Sequence, residues 1–164
     1  MTVLVGAEVT RVFTSDEMEE GLTTGLGNIV CLPGGKEYKL VLYDEGTGAL
    51  DLAAGDLVVY TDVTGYDTST VTADVSDVAG TLIPAGIVAA TTVDTDGTYF
   101  YIQISGPATA NQTLGGSAGD GAPLQAGADK TLTLAAEAGS GAPDHVCAYA
   151  VDASAKTIAC RFLR

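Results

Sequence analysis

Short runs of alternating apolar and polar residues recur along this chain, and each is stopped within a few residues by glycine, proline or an Asp-bearing turn. That punctuation leaves no room for long helices, because a strand-like period of two is never sustained beyond one short element. "KEYKLVLYDEG" alternates cleanly, with Tyr38, Leu40 and Leu42 on one side and Lys39, Val41 and Tyr43 on the other. "GDLVVYTD", "STVTADVSD", "TYFYIQIS", "KTLTLAA", "HVCAYAVD" and "KTIACRFL" read as further strands, and "GNIVCL" as an apolar stretch closed by Pro33-Gly34-Gly35. "GTLIPAGIVAATTV" carries Pro84 and Gly86 and predicts two short pieces meeting at a kink. The last two strands form a hairpin around Asp152 to Ala155.

About eight to ten short strands at such spacing are the mark of an all-β domain. A compact β-barrel or β-sandwich of antiparallel strands solves the edge problem most economically. Long alternating helices and strands are absent, which excludes a doubly wound sheet. With 164 residues, 46% of them hydrophobic and 17% charged, the chain buries a core without staples.

The N-terminal part differs. Residues Thr2 to Phe13 alternate loosely at Val3, Val5, Val9 and Phe13 and read as an extended arm or an edge strand. "TSDEMEEGL" follows, where Thr14 and Glu17 have capping-box spacing, acids crowd the first turn and Gly21 ends the helix. The division expected is an arm with one short helix over residues 1–26 and a β domain over 27–164. The opening "MTVLVGAEVTRVF" lacks the basic start and apolar run of a secretory leader. No window reaches the ~18 apolar residues of a membrane helix.

Asp94-Thr95-Asp96-Gly97 has the look of a calcium loop. Such a loop needs a closing bidentate Glu at its twelfth position, which here is Ser105, and Tyr99 to Ile104 is strand-like. A tight hairpin turn with Gly97 at positive φ fits instead. The strand after it places Phe100, Ile102 and Ile104 on one face as core and Tyr99, Tyr101 and Gln103 on the other. "SGPATA" then reads as a Gly-Pro stop. "AGDGAP" at Ala118 recurs as "AGSGAP" at Ala138, two similar loops rather than a solenoid.

No constellation for catalysis appears. His145 is the only histidine, and Cys147 beside it stands in a strongly acidic chain, not in the electropositive pocket a thiolate needs. Cys31, Cys147 and Cys160 are odd in number and widely spaced, which reads as buried thiols rather than disulfides or zinc ligands. Asp44-Glu45 and Glu19-Glu20 are sequence neighbours, and in a strand neighbours face opposite ways. "PGGKEY" has neither the spacing nor the hydroxyl of a phosphate loop, and the sequon at Asn111 carries no weight without a leader. The residues imply no enzyme, no metal and no cofactor. A net charge of −14 argues against nucleic acid and against an anionic membrane as partners. It keeps copies of an abundant protein apart.

"PAGIVAATTVDTDGTYFYIQISGPATA" resembles a segment of the head-decoration, or capsid-cement, proteins of tailed bacteriophages. The residues that carry the resemblance are Gly86, Ile87, Val88, Gly97, Tyr99, Tyr101, Ile102, Gln103, Ile104, Gly106, Pro107 and Ala108. "GDGAPLQAGADKTLTLA" is similar to the loop and strand that follow there. The likeness spans roughly Gly55 to Arg164, and the first ~50 residues add nothing distinctive. It implies a structural protein on the outer capsid surface of a virion, made in the cytoplasm of a bacterial host. It further implies a homotrimer that clamps neighbouring copies of the major capsid protein. An N-terminal segment docks on the capsid in such proteins, which makes Thr2, Val3, Leu4, Val5, Val9 and Phe13 the candidates for capsid contact. Tyr99 and Tyr101, on the face of their strand turned from the core, are the candidates for contact between copies. The alternative is another virion β module, a tail or fibre component or a carbohydrate-binding adhesin, for which Tyr60, Tyr66, Tyr99 and Tyr101 are the aromatic candidates.

Overall fold

The strands of the chain, in order, are β1 (Val12–Phe13), β2 (Ile29–Leu32), β3 (Lys36–Tyr43), β4 (Leu52–Ala53), β5 (Leu57–Tyr60), β6 (Thr70–Thr72), β7 (Pro84–Val88), β8 (Thr92–Val93), β9 (Tyr99–Thr109), β10 (Pro123–Ala126), β11 (Leu132–Leu134), β12 (Ala148–Asp152) and β13 (Thr157–Arg161). Among the described residues one short helix, α1 (Ser15–Glu19), and one turn of 3-10 helix at Val75–Asp77 accompany them. The structure is a computed structural model that describes residues 8–21, 24–62, 69–78, 82–135 and 145–162.

Five strands close a barrel. β3 pairs with β9, β9 with β7, β7 with β5 and β5 with β6, all antiparallel. β6 returns to β3 as a parallel pair, Leu42 opposite Thr70 and Tyr43 opposite Val71. Closure removes the raw edges that an open sheet of these strands would present. The inside is filled by alternate residues: Val41 and Tyr43 from β3, and Phe100, Ile102 and Ile104 from β9. Tyr43 and Phe100 meet edge to face there. All four residues of β5 and all five of β7 are buried, so their continuous apolar runs reflect cover on both faces rather than one.

β9 is the spine. Along its eleven residues it pairs with β3, β1, β7 and β13. From Ser105 onward it carries a wing in the order β13, β12, β10, β11. Leu124, Leu132, Ala148, Ala150, Ile158, Cys160 and Phe162 of the wing join the same core as the barrel interior. Asp56 ties the start of β5 to the segment after β9: its buried carboxylate accepts hydrogen bonds from the Ala53 N–H and from the side-chain amides of Asn111 and Gln112.

Several sequence expectations change in detail. β9 runs through Gly106 and Pro107, where a stop was expected. Beyond Ser105 β13 is its only partner among the described residues, and an edge stretch tolerates a residue with no N–H. Pro84 opens β7 rather than kinking it, the other position where a strand accepts proline. The Asp94–Gly97 segment is a turn, with Gly97 at φ 72°, but it closes no hairpin. β8 before it pairs with β4 in a separate two-stranded sheet. β10 lies in what the sequence reads as loop. The second "AGSGAP" loop lies outside the described residues. The β12–β13 hairpin is as expected.

Candidate interaction surfaces

The described part of the N-terminal segment, from Glu8 on, packs against the barrel. β1 lies against β9, Val12 opposite Phe100 and Phe13 opposite Tyr99. Phe13 and Tyr101 join Tyr38 and Leu40 in a second apolar cluster on the outer face of β3 and β9, with Val9 and Met18 packed against it. α1 holds this cover in place. The Thr14 hydroxyl accepts from the Glu17 N–H at 3.4 Å, and the Glu17 carboxylate accepts from the Thr14 N–H at 3.0 Å. Arg11 adds an ion pair to Glu17.

Two expectations therefore need correction. Phe13 is not free for a capsid, because the barrel wall buries it to 4% exposed; Val9 is half-buried and packs against the same cluster. Tyr101 is no contact between copies, because the N-terminal segment covers it; it is 1% exposed and its hydroxyl lies 3.0 Å from that of Thr24. Tyr99 is half-buried at the rim of the same cluster. Thr2, Val3, Leu4 and Val5 lie outside the described residues. Tyr60 is buried too: its hydroxyl accepts from Lys39 Nζ at 3.2 Å, and burial pushes its pKa to about 12. Tyr66 lies outside the described residues.

The wing presents a surface that the sequence reading did not single out. On β12, Ala148 and Ala150 face the core while Tyr149 and Val151 are exposed. Tyr149 stands opposite Pro123 of β10 on one side and Ala159 of β13 on the other, and Ala159 stands opposite Pro107 of β9. A row of Pro, Tyr, Ala and Pro thus crosses four strands on the outer face with no charge in it. Val151 is 56% exposed and occupies a bulge, the one residue of β12 without a partner on β13. The Arg161 guanidinium lies 5.9 Å from the Tyr149 ring centroid. The period-two pattern in "AYAV" was the available signal; what it did not reveal is that three neighbouring strands continue the row.

A groove of about 620 Å³ runs over the outer wall of the barrel. Its floor is the cross-strand row Tyr38, Gln103 and Ile87 from β3, β9 and β7. Lys36 and Lys156 stand in its lining. Both N–H bonds of the Gln103 amide are spent inside the protein, on the carbonyls of Ser105 at 3.0 Å and Pro107 at 2.9 Å.

The titratable groups near His145 do not assemble a nucleophile. Cys147 donates to the Leu124 carbonyl, and burial pushes its pKa to about 12, the opposite of what an attacking thiolate needs. All three cysteines are free, with Cys31 exposed against the expectation of a buried thiol. Among the described residues no three His, Cys, Asp or Glu side chains group as metal ligands. Asp96 instead accepts from the Glu45 N–H at 3.0 Å, and Asp94 from the Thr95 hydroxyl. No family model, no curated protein and no solved structure matches this chain.

Proposed function

We propose that this chain is a structural virion protein that binds the outer surface of a phage capsid as a homotrimer and stabilises contacts between major capsid proteins. The observation that carries the reading is the uncharged Pro–Tyr–Ala–Pro row, with Val151 beside it, on a body of net charge −14. Charge repulsion holds acidic copies apart everywhere except where a surface is neutral and apolar, so such a face is where association costs least. The segment that resembles decoration proteins covers β7 and β9, two neighbouring strands of the barrel, and β8 between them in sequence. A rigid block with a closed core suits a protein whose task is to hold position, and a lattice multiplies each weak contact by avidity. Of the expected arm, Thr2, Val3, Leu4, Val5 and the half-buried Val9 remain as shell contacts in this reading, since Phe13 is buried by the chain itself.

The adhesin alternative draws less support. Of its four aromatic candidates, Tyr60 and Tyr101 are buried, and Tyr99 sits at the rim of an internal cluster. The test is co-sedimentation of the purified chain with expanded phage heads and with unexpanded ones. Saturable binding at a fixed ratio to expanded heads is the expected result. Binding to host glycans with no binding to heads would overturn the reading.

A further inference from the structure

We infer that the groove over β3, β9 and β7 is the seat for an acidic, extended peptide segment of the protein on which this chain docks. The first observation is charge segregation. Among the described residues Lys36 and Lys156 line the groove, two of the chain's few Lys and Arg, and no Asp or Glu does. On a body this acidic, a carboxylate ligand is repelled from most of the surface and admitted here. The Lys36 side chain makes no hydrogen bond or ion pair among the described residues, so its ammonium is available to a ligand.

The second observation is the shape and chemistry of the floor. A volume of about 620 Å³ falls within the ~300–1,000 Å³ of ligand clefts. Half-buried Ala89 gives an apolar patch on one side, with Ile87 almost buried in the floor, and Tyr38 gives a hydroxyl that burial keeps protonated above its usual range on the other. Between them Gln103 has both amide hydrogens engaged, so the group it offers a ligand is its carbonyl oxygen, an acceptor for a peptide N–H. An extended peptide supplies those parts in alternation: a carboxylate toward Lys36, an apolar side chain toward Ala89, a backbone N–H toward Gln103. At the far end Lys156 is held in place by its bond to the Asn111 carbonyl, next to Gly55, whose φ of 93° brings the chain close to Asn111.

The identity of the docking partner as a shell protein rests on the function proposed above; the groove's preference for acidic peptide does not. The test measures fluorescence anisotropy of a labelled peptide of alternating Glu and Ala, and of its Gln and Ala counterpart, against the full chain. The Glu peptide is expected to bind, more weakly as salt rises, and the Gln peptide not to bind. Lys36→Glu is expected to weaken the Glu peptide at least about tenfold. Lys130→Glu makes the same change of net charge outside the groove and is expected to leave binding within about twofold. Thermal melting of each variant establishes that it is folded. Equal binding of the two peptides, no binding of either, or equal loss in Lys36→Glu and Lys130→Glu would overturn the inference. Expanded heads that take up Lys36→Glu as well as the native chain would overturn it while leaving the capsid reading intact. A native chain that binds the Glu peptide but no head upholds the groove and removes the capsid reading.

Discussion

Phe13 and Tyr101 meet edge to face, with ring centroids 6.2 Å apart and planes inclined by 80°. The contact joins the N-terminal segment to the spine strand and seals the outer cluster. Replacing Phe13 by Ala removes a side chain that is 4% exposed and leaves a hole over Tyr101. The expected cost is about 3 kcal/mol, the low end for Phe→Ala, because the site lies near the surface and partly collapses. Urea denaturation of the two proteins measures it. A loss under about 1 kcal/mol would mean that the segment does not stay docked in solution.

Cys147 and Cys160 are 4% and 3% exposed, and burial holds both thiols at a pKa of about 12. Cys31 is exposed. A thiol reagent at pH 8 is expected to modify one cysteine per native chain and all three in denaturant. The same burial sets an alkaline limit. The folded pKa values lie above the ordinary 9.0 of the thiols and 10.0 of Tyr60, so the unfolded chain releases these protons first. Stability from these groups is whole below about pH 9 and is lost as pH rises toward 12. Urea midpoints across that range should fall, and should fall less steeply in Cys147→Ala than in the native chain.

Gly106 sits at φ 88°, and a Cβ placed there would lie 2.7 Å from the Gly35 carbonyl oxygen and 3.1 Å from the Lys36 Cα. Backbone cannot yield as a flexible side chain does. Gly106→Ala is expected to cost about 2–3 kcal/mol, the sum of a left-handed conformation and a clash. Gly97 is the control: its φ is 72°, but a Cβ there meets nothing within 4 Å. Gly97→Ala is expected to cost about 1 kcal/mol. Equal losses in the two variants would show that β9 does not cross Gly35 so closely.

What the sequence revealed and what it hid divide along a physical line. Local chemistry was legible: the Thr14 and Glu17 capping box, the turn at Gly97, and the two faces of Tyr99 to Ile104 all follow from residues within a few positions of one another. Long-range pairing was not. Pro107 reads as a stop in one dimension, and only the absence of a second neighbour beyond Ser105 among the described residues makes it acceptable within β9. Tyr101 points away from the barrel core as expected, yet nothing in its own strand says that Phe13 would cover it. The groove is the extreme case. Lys36, Gln103 and Lys156 lie far apart in the chain, and their nearness depends on β9 serving β3, β7 and β13 together.

Val151 offers the most direct test of the wing as an association surface. It is 56% exposed, and the bulge leaves it without a cross-strand partner, so its side chain contributes little to the fold of the single chain. Val151→Asp should therefore shift the stability of the isolated chain by no more than about 0.5 kcal/mol. If the row through Tyr149 is where copies meet, the same substitution buries a carboxylate against an apolar, acidic-bodied neighbour, which association cannot offset. Sedimentation velocity should find the native chain trimeric and Val151→Asp monomeric, with circular dichroism spectra that coincide. A variant that stays trimeric would place the contact between copies elsewhere. A native chain that is monomeric at all concentrations would leave the row for the shell, where loss of head binding by Val151→Asp is then the expected result.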